Sequence, residues 1–244
     1  MGAIYFASDL HLTAVEDPIF DRFSALCRRV AVDGQALYLL GDVFEAYLGD
    51  DDDDPLVAAV GVQLRALADA GIALSFTHGN RDFLLGQAFS ARAGLRLLDT
   101  QAVIELGSRR ALLLHGDTLC TDDVEYQSIR RQLRAPQWQA QFLAQPLAAR
   151  RAFAAQARAQ SSAHTASAAA EIMDVNAAAV AELFEQSGAE WIIHGHTHRP
   201  ALHQLEGSRR RIVLGDWPRA ASWLRVADDG SAELFFEGRR VVVD

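Results

Sequence analysis

Residues 3–12, AIYFASDLHL, decide how the rest of the chain is read: a short alternating apolar run, Ala3 to Ala7, stops abruptly at Ser8 and Asp9, with His11 close behind. An apolar run that breaks into polar residues is the pattern of a buried strand delivering side chains to its carboxyl end. The pattern recurs along the chain. Ala36 to Leu40 ends in Gly41 and Asp42, Ile72 to Thr77 in His78, Gly79 and Asn80, Ala111 to Leu114 in His115 and Gly116, and Trp191 to Ile193 in His194 and Gly195. Repetition of this kind predicts a sheet whose carboxyl edge carries the functional site.

Helical patterns lie between the strands, at Pro18 to Val32, Leu56 to Ala70 (bounded by Pro55 and Gly71), Phe83 to Ala93 and Val175 to Ser187. Alternation of the two patterns predicts an α/β architecture. After Pro200 the chain changes to short alternating strands with turns at Glu206 to Ser208, Asp228 to Gly230 and Glu237 to Gly238, which predicts a second, more antiparallel sheet. From Tyr126 to Ala170 there is no Asp or Glu, whereas Arg130, Arg131, Arg134, Arg150, Arg151 and Arg158 all fall there. Its alanine and glutamine content predicts helices broken near Pro136 and Pro146, with Trp138, Phe142, Leu143, Leu147 and Phe153 as apolar projections. The acidic run Asp50 to Asp54 lacks the spaced ligands and glycine of a calcium loop and is expected to be a solvated surface loop.

The 244 residues are 50% hydrophobic and 23% charged with a net charge of −9, which supports a folded chain with a sizeable core. All 23 basic residues are arginine, so lysine nucleophiles and the lysine-dependent phosphate loop are excluded. No apolar stretch approaches the roughly 18 residues of a membrane span, and the N-terminus has neither a basic region nor a cleavage site, so the expected location is cytoplasmic. Cys27 and Cys120 are too far apart for a zinc knuckle and too few for a disulfide scaffold, and are expected to be free and buried.

The strand ends carry the chemistry. DLH (Asp9, His11), GDVFE (Asp42), GNRD (Asn80, Arg81), HGD (His115) and HGHTH (His196, His198) offer three carboxylate or amide oxygens and four imidazoles. Singly, such residues cap helices or satisfy core hydrogen bonds. Together they form a mixed oxygen and nitrogen set suited to Mn²⁺, Fe²⁺ or Zn²⁺, too large for one ordinary site, so that one carboxylate is expected to bridge two ions.

This ordered set resembles the calcineurin-like metallophosphoesterases, a resemblance spanning residues 9 to 198. It implies a four-layer α-β-β-α sandwich, with Asp9, His11 and His198 at one metal, Asn80, His115 and His196 at the other, and Asp42 bridging. Many members carry a histidine after the asparagine of the third cluster, where this chain has Arg81. Arginine is no proton donor at neutral pH, but its planar fork matches a diphosphate. Arg81, HGDTLCTDDVEYQ at 115–127, EIMDVN at 171–176 and IIHGHTHRP at 192–200 resemble the UDP-2,3-diacylglucosamine pyrophosphohydrolase family of lipid A biosynthesis over essentially the whole chain.

That resemblance implies a single domain over 1–244 with a helical cap inserted at 122–170, two Mn²⁺ ions, and hydrolysis to UMP and 2,3-diacylglucosamine 1-phosphate by attack at the uridine-side phosphorus. Asp42, Arg81 and His196 are the expected catalytic residues. Asn80, Arg81, Asp123, Ser161, Thr165 and His196 are the expected substrate contacts, with Ala168 standing where relatives carry a lysine. A basic insertion with apolar projections suits an anionic glycolipid nucleotide and peripheral contact with the inner membrane. No nucleic acid or obligate protein partner is expected. A soluble nucleotide phosphodiesterase or dinucleoside polyphosphate hydrolase is the alternative enzymatic reading, and a scaffold without metal chemistry the non-enzymatic one.

Overall fold

The computed structural model describes residues 2–167 and 174–243, with side chains in the last part of the long helix, 160–167, left out. The chain begins β1 (Ala3–Ala7), α1 (Pro18–Asp33), β2 (Gly34–Leu39), α2 (Pro55–Asp69) and β3 (Ala73–Phe76). Asp17 and Asp54 start the two helices by accepting from Ile19 N and Leu56 N at 2.9 and 2.8 Å, each followed by a proline at the first helical position. Next come α3 (Gln87–Ala93), β4 (Leu95–Leu97), β5 (Gln101–Leu106) and β6 (Arg109–Leu114), then a 3-10 turn at Asp117–Leu119. The helix expected from Phe83 starts later because Asp82 to Leu85 form a turn. The Asp50 carboxylate, arriving from a distant loop, caps the shortened helix by accepting from Gly86 N and Ala88 N.

Three helices follow, α4 (Val124–Leu133), α5 (Pro136–Leu143) and α6 (Leu147–Ser167), broken near the two prolines as the sequence predicts. The chain then runs through α7 (Ala177–Ser187), β7 (Trp191–His194), β8 (Ala201–Gln204), β9 (Arg210–Val213), β10 (Trp223–Val226), β11 (Ala232–Phe236) and β12 (Arg239–Val243).

The motif strands do not share one sheet. β1, β2 and β3 are parallel neighbours in a seven-stranded sheet of order β12-β11-β10-β1-β2-β3-β4, while β6 and β7 lie parallel in a five-stranded sheet of order β5-β6-β7-β9-β8. Nor do the C-terminal strands make a sheet of their own. β8 and β9 extend the smaller sheet, and β10 pairs antiparallel with β1, placing Phe6 opposite Leu224. Alternating sequence specifies which face of a strand is apolar, but not which edge the strand joins.

Strand alternation separates three cores and so produces four layers. Tyr5, Leu37 and Leu39 face Phe23, Val30, Val60 and Leu64 of α1 and α2. Phe6, Leu113, Trp191, Ile193, Ile212 and Leu224 fill the space between the sheets. Leu112, Leu114 and Ile192 face Val180, Leu183 and Phe184 of α7. The α/β sandwich expected from the sequence is therefore the observed fold, and both sheets present the ends of their parallel strands to one place.

The acidic run is not a merely solvated loop. Asp50 caps α3 and Asp54 caps α2. Asp51 forms a two-pronged pair with Arg150 of α6, whose Nη1 also donates to Leu48 O at 2.5 Å, and Arg151 pairs with Asp52 and Asp53. Arg150 is 2% exposed, so the run supplies a counter-charge to a buried guanidinium and docks the insertion on the core. Arg150→Ala leaves the Leu48 carbonyl without this donor, at a cost of ~1–3 kcal/mol. Denaturant unfolding should show that loss, with faster amide exchange over 147–158. Unchanged stability and exchange would refute the docking role.

Candidate active site

Among the described residues, the non-glycine positions with positive φ are Asp9, His11, Asp42, His196, His198 and Glu237. All but Glu237 belong to the expected ligand set, with φ between 51° and 67°. Left-handed backbone costs such residues of order 1–3 kcal/mol each and persists where surrounding structure enforces it. Here it turns successive side chains back toward a common point beyond the strand ends. Close packing of the turns requires glycine at two positions. A Cβ on Gly79 would overlap the Asp42 carboxylate and amide, and one on Gly195 would overlap the Asp9 carboxylate and the Ser8 hydroxyl.

The seven expected ligands converge. Asp9 Oδ2 accepts from Ser8 Oγ at 2.6 Å and from His196 N at 2.9 Å, whereas Asp9 Oδ1 is buried, accepts no hydrogen bond, and lies 3.3 Å from His198 Nε2. The Nε2 atoms of His11 and His198 are 3.1 Å apart. Asp42 Oδ1 accepts from Arg81 N at 2.8 Å, and its Oδ2 stands 3.6 Å from His115 Nε2 and 4.0 Å from His11 Nε2. Asn80 Oδ1 is 3.0 Å from His115 Nε2, and the His115 and His196 rings meet edge to face with centroids 5.0 Å apart. Among the described residues, two overlapping groups have ligand atoms close enough to share an ion: Asp9, His11 and His198, and Asp9, Asp42 and His115.

Ring orientation is set from behind. His115 Nδ1 donates to Leu40 O at 2.9 Å, and His11 Nδ1 meets Glu45 Oε2 at 2.8 Å, leaving both Nε2 atoms turned to the cluster. Burial pulls the His11 pKa down, but Glu45, Asp42 and Asp9 outweigh it and raise it to about 9. Burial likewise opposes charge on His115, and the Asp42 and Asp9 carboxylates reverse it upward. The Asp9 carboxyl, pushed up by burial, is held well below its ordinary range by the imidazoles of His198, His115 and His11. His196 goes the other way: burial and the charge of His115 lower it to about 4. The cluster thus retains protons where its field is most negative, and Asp9 Oδ1 has no donor. That field and the oxygen–imidazole donor set fit divalent cations.

The expected substrate contacts divide. Asn80 and Arg81 line a cavity beside the cluster, and His196 lies within the cluster. Asp123 is buried and accepts from Tyr126 N at 2.9 Å, capping α4. Ser161 and Thr165 fall on α6, where their side chains lie outside the described residues, as does Ala168 altogether.

Supporting carboxylates are what sequence reasoning missed. Asp82 accepts from Gly79 N, Asp42 N and Val43 N at 2.9, 3.1 and 2.8 Å, tying two ligand-bearing turns together. Burial and the neighbouring Asp42 charge raise its pKa to about 7. Asp117 accepts from Arg130 Nε at 2.6 Å and from Tyr126 Oη at 3.2 Å, which anchors α4 below the site. Burial opposes its ionisation, yet His115, His196, Arg130 and Arg134 lower its pKa to about 2. Glu45, Asp82 and Asp117 all sit inside the quoted motifs, so adjacency was the available signal.

The calcineurin-like phosphoesterase family profile matches residues 2–200, and the chain belongs to that family. Vacuolar Protein Sorting 29 from Cryptosporidium parvum shares the fold at a TM-score of 0.54 and 12% identity, covering 99% of this chain and 95% of that one. Curated relatives narrow the assignment. The UDP-2,3-diacylglucosamine hydrolase of Cellvibrio japonicus is 54% identical over 215 residues, 87% of this chain and 90% of the relative. That of Escherichia coli is 45% identical over 237 residues, 96% of this chain and 99% of the relative. Within the phosphoesterases, the chain is a member of the UDP-2,3-diacylglucosamine hydrolase family.

Asp82→Asn turns an amide NH₂ or a weaker acceptor toward backbone donors that now share a carboxylate. We expect a stability loss of ~1–3 kcal/mol together with reduced metal content after dialysis. Wild-type melting and full metal retention in this variant would show that Asp82 does not position the two turns.

Proposed function

We propose that the chain hydrolyses the pyrophosphate bond of UDP-2,3-diacylglucosamine, releasing UMP and 2,3-diacylglucosamine 1-phosphate, at a site of two divalent ions with Mn²⁺ preferred. The observation that carries the reading is an apolar cavity of about 90 Å³ directly beside the ligand cluster. Leu48, Phe83 and Leu84 of the core and Trp138, Phe142 and Phe153 of α5 and α6 line it, while Glu45, Asn80, Arg81 and Arg158 form its polar part. Trp138 stacks on Phe142 at 4.8 Å and packs against Phe153 at 5.7 Å, so the insertion presents an aromatic wall. An apolar chamber ending in an arginine suits the start of an acyl chain beside a diphosphate headgroup, the rest of the lipid lying outside its volume of about 90 Å³.

Two bound divalent ions would supply a nucleophilic water at neutral pH and charge stabilisation for phosphoryl oxygens. Asp9, His11 and His198 would hold one, Asn80, His115 and His196 the other, with Asp42 between them. Asp42 suits that place because Oδ1 is fixed by the Arg81 amide while Oδ2 faces both His115 and His11. His196 remains neutral at working pH and can offer a lone pair. The Arg81 guanidinium stands by charge and shape to bind the diphosphate, and its Nη1 is 4.0 Å from Glu45 Oε1.

Residues 122–170 would act as the cap within a single domain, with Asp123 fixing its first helix and Ser161 and Thr165 meeting the headgroup. Much of the cap's charge is spent on attachment. Arg130 and Arg134 lie on Asp117, and Arg150 and Arg151 on Asp51 to Asp53. Arg131 and Arg158 are the cap cations outside those pairs. Peripheral contact with the cytoplasmic face of the inner membrane is supported by Leu143 and Phe153, exposed apolar residues of the cap. Among the described residues, no helix is long and apolar enough to cross a membrane.

Incubation of the Mn²⁺-loaded protein with UDP-2,3-diacylglucosamine should release UMP, with turnover abolished by chelation and reduced by at least about 10³ in Asp42→Asn. Ala157→Trp, which fills the cavity, should raise KM more for long-chain than for short-chain substrate. Absence of UMP from the wild type, with cleavage of a simple phosphodiester retained, would overturn the substrate assignment.

A further inference from the structure

A second, larger cavity adjoins the same cluster and is not used by the function proposed above. It has a volume of about 330 Å³, within the range typical of small-ligand pockets, and shares no lining residue with the apolar chamber. The chamber reaches Asn80 and Arg81, whereas this basin reaches Thr197 and His198. His198 faces both ways, with Nε2 3.3 Å from Asp9 Oδ1 and Nδ1 3.9 Å from Asp216 Oδ2.

Its lining has a different chemistry. Arg211 and Arg219 carry positive charge there, and Phe236 and Pro200 supply apolar faces. Arg211 is fixed by its contact with His194 Nε2 at 3.2 Å, while Arg219 is 67% exposed and 3.7 Å from Asp216, free to swing toward an anion. Arg199 in the same wall neutralises Asp174 at 2.6 Å, which leaves Glu237 as the remaining carboxylate of the lining. Thr197 Oγ1 is buried and has no hydrogen-bond partner among the described residues.

We propose that this basin is the nucleoside subsite: it receives the ribose and pyrimidine of the substrate and of the UMP product, with Phe236 against the base and Arg219 toward the phosphate. The inference rests on the substrate reading above. It gives the bound substrate a polarity, acyl chains in the aromatic chamber and nucleoside in the basin beside His198, with the diphosphate across the cluster between Arg81 and His198. Acyl chains gain nothing in a basin walled by guanidinium groups, and a nucleoside leaves its polar edges unsatisfied in the aromatic chamber.

The test is binding of UMP and of inorganic phosphate to the Mn²⁺-loaded protein by calorimetry, which needs no turnover. Inorganic phosphate lacks the ribose and base contacts, so UMP should bind at least about tenfold tighter, a difference of ~1.4 kcal/mol. Phe236→Ala should weaken UMP severalfold and leave phosphate affinity as it was, and Arg219→Ala should weaken UMP severalfold. His203→Ala, on the neighbouring strand, replaces either variant that fails to melt cooperatively. Equal affinity for UMP and phosphate in the wild type, or UMP affinity unmoved by the variants, overturns the subsite. A wild type that binds UMP in this way but does not cleave UDP-2,3-diacylglucosamine overturns the substrate reading instead.

Discussion

The contact of Gly195 with the Asp9 carboxylate, and of Gly79 with that of Asp42, is the constraint on which the site depends. Each contact presses the turn after one strand against the turn after another, and Gly195 with Asp9 does so between the two sheets. Only hydrogen side chains allow that approach. With the turns pressed together, left-handed backbone at Asp9, His11, Asp42, His196 and His198 aims two carboxylates and three imidazoles inward. The strain is sustained because the inter-sheet core built on Phe6, Leu113, Trp191 and Ile193 fixes how the edges meet.

The same economy of carboxylates joins the insertion to the body. Asp117 follows a cluster histidine by two residues and holds Arg130, while Arg134 donates to Gly79 O at 2.8 Å, within the turn that carries Asn80. At its other end the insertion is fixed by Arg150 and Arg151 on the acidic run. Movement of the three helices is thereby coupled mechanically to the turns that hold the ligands. The basic character of the insertion serves attachment at four arginines, so recognition of an anionic lipid falls on a smaller number of cations than composition suggests.

Strand-end motifs made much of this legible. Each expected cluster residue from Asp9 to His198 arrives at one site because runs such as IYFA and WII must be buried, and a buried strand can release polar side chains only at its end. What stayed hidden was tertiary. Nothing local tells WLRV at 223–226 to pair with β1 instead of forming a separate sheet, since alternation fixes a face and not a partner. The acidic run reads as solvent-facing because the guanidinium it buries lies 99 residues away. Asp82 and Asp117 stood in plain view within GNRD and HGD, but their roles depend on backbone amides and arginines brought near only by folding.

A diffraction measurement at the manganese absorption edge, on crystals of the Mn²⁺-loaded protein, tests the central claim most directly. The account predicts two anomalous peaks about 3.5–4 Å apart with the Asp42 carboxylate between them. One is expected beside Asp9, His11 and His198, and the other beside Asn80, His115 and His196. A single peak, or two peaks without Asp42 in reach of both, would contradict it.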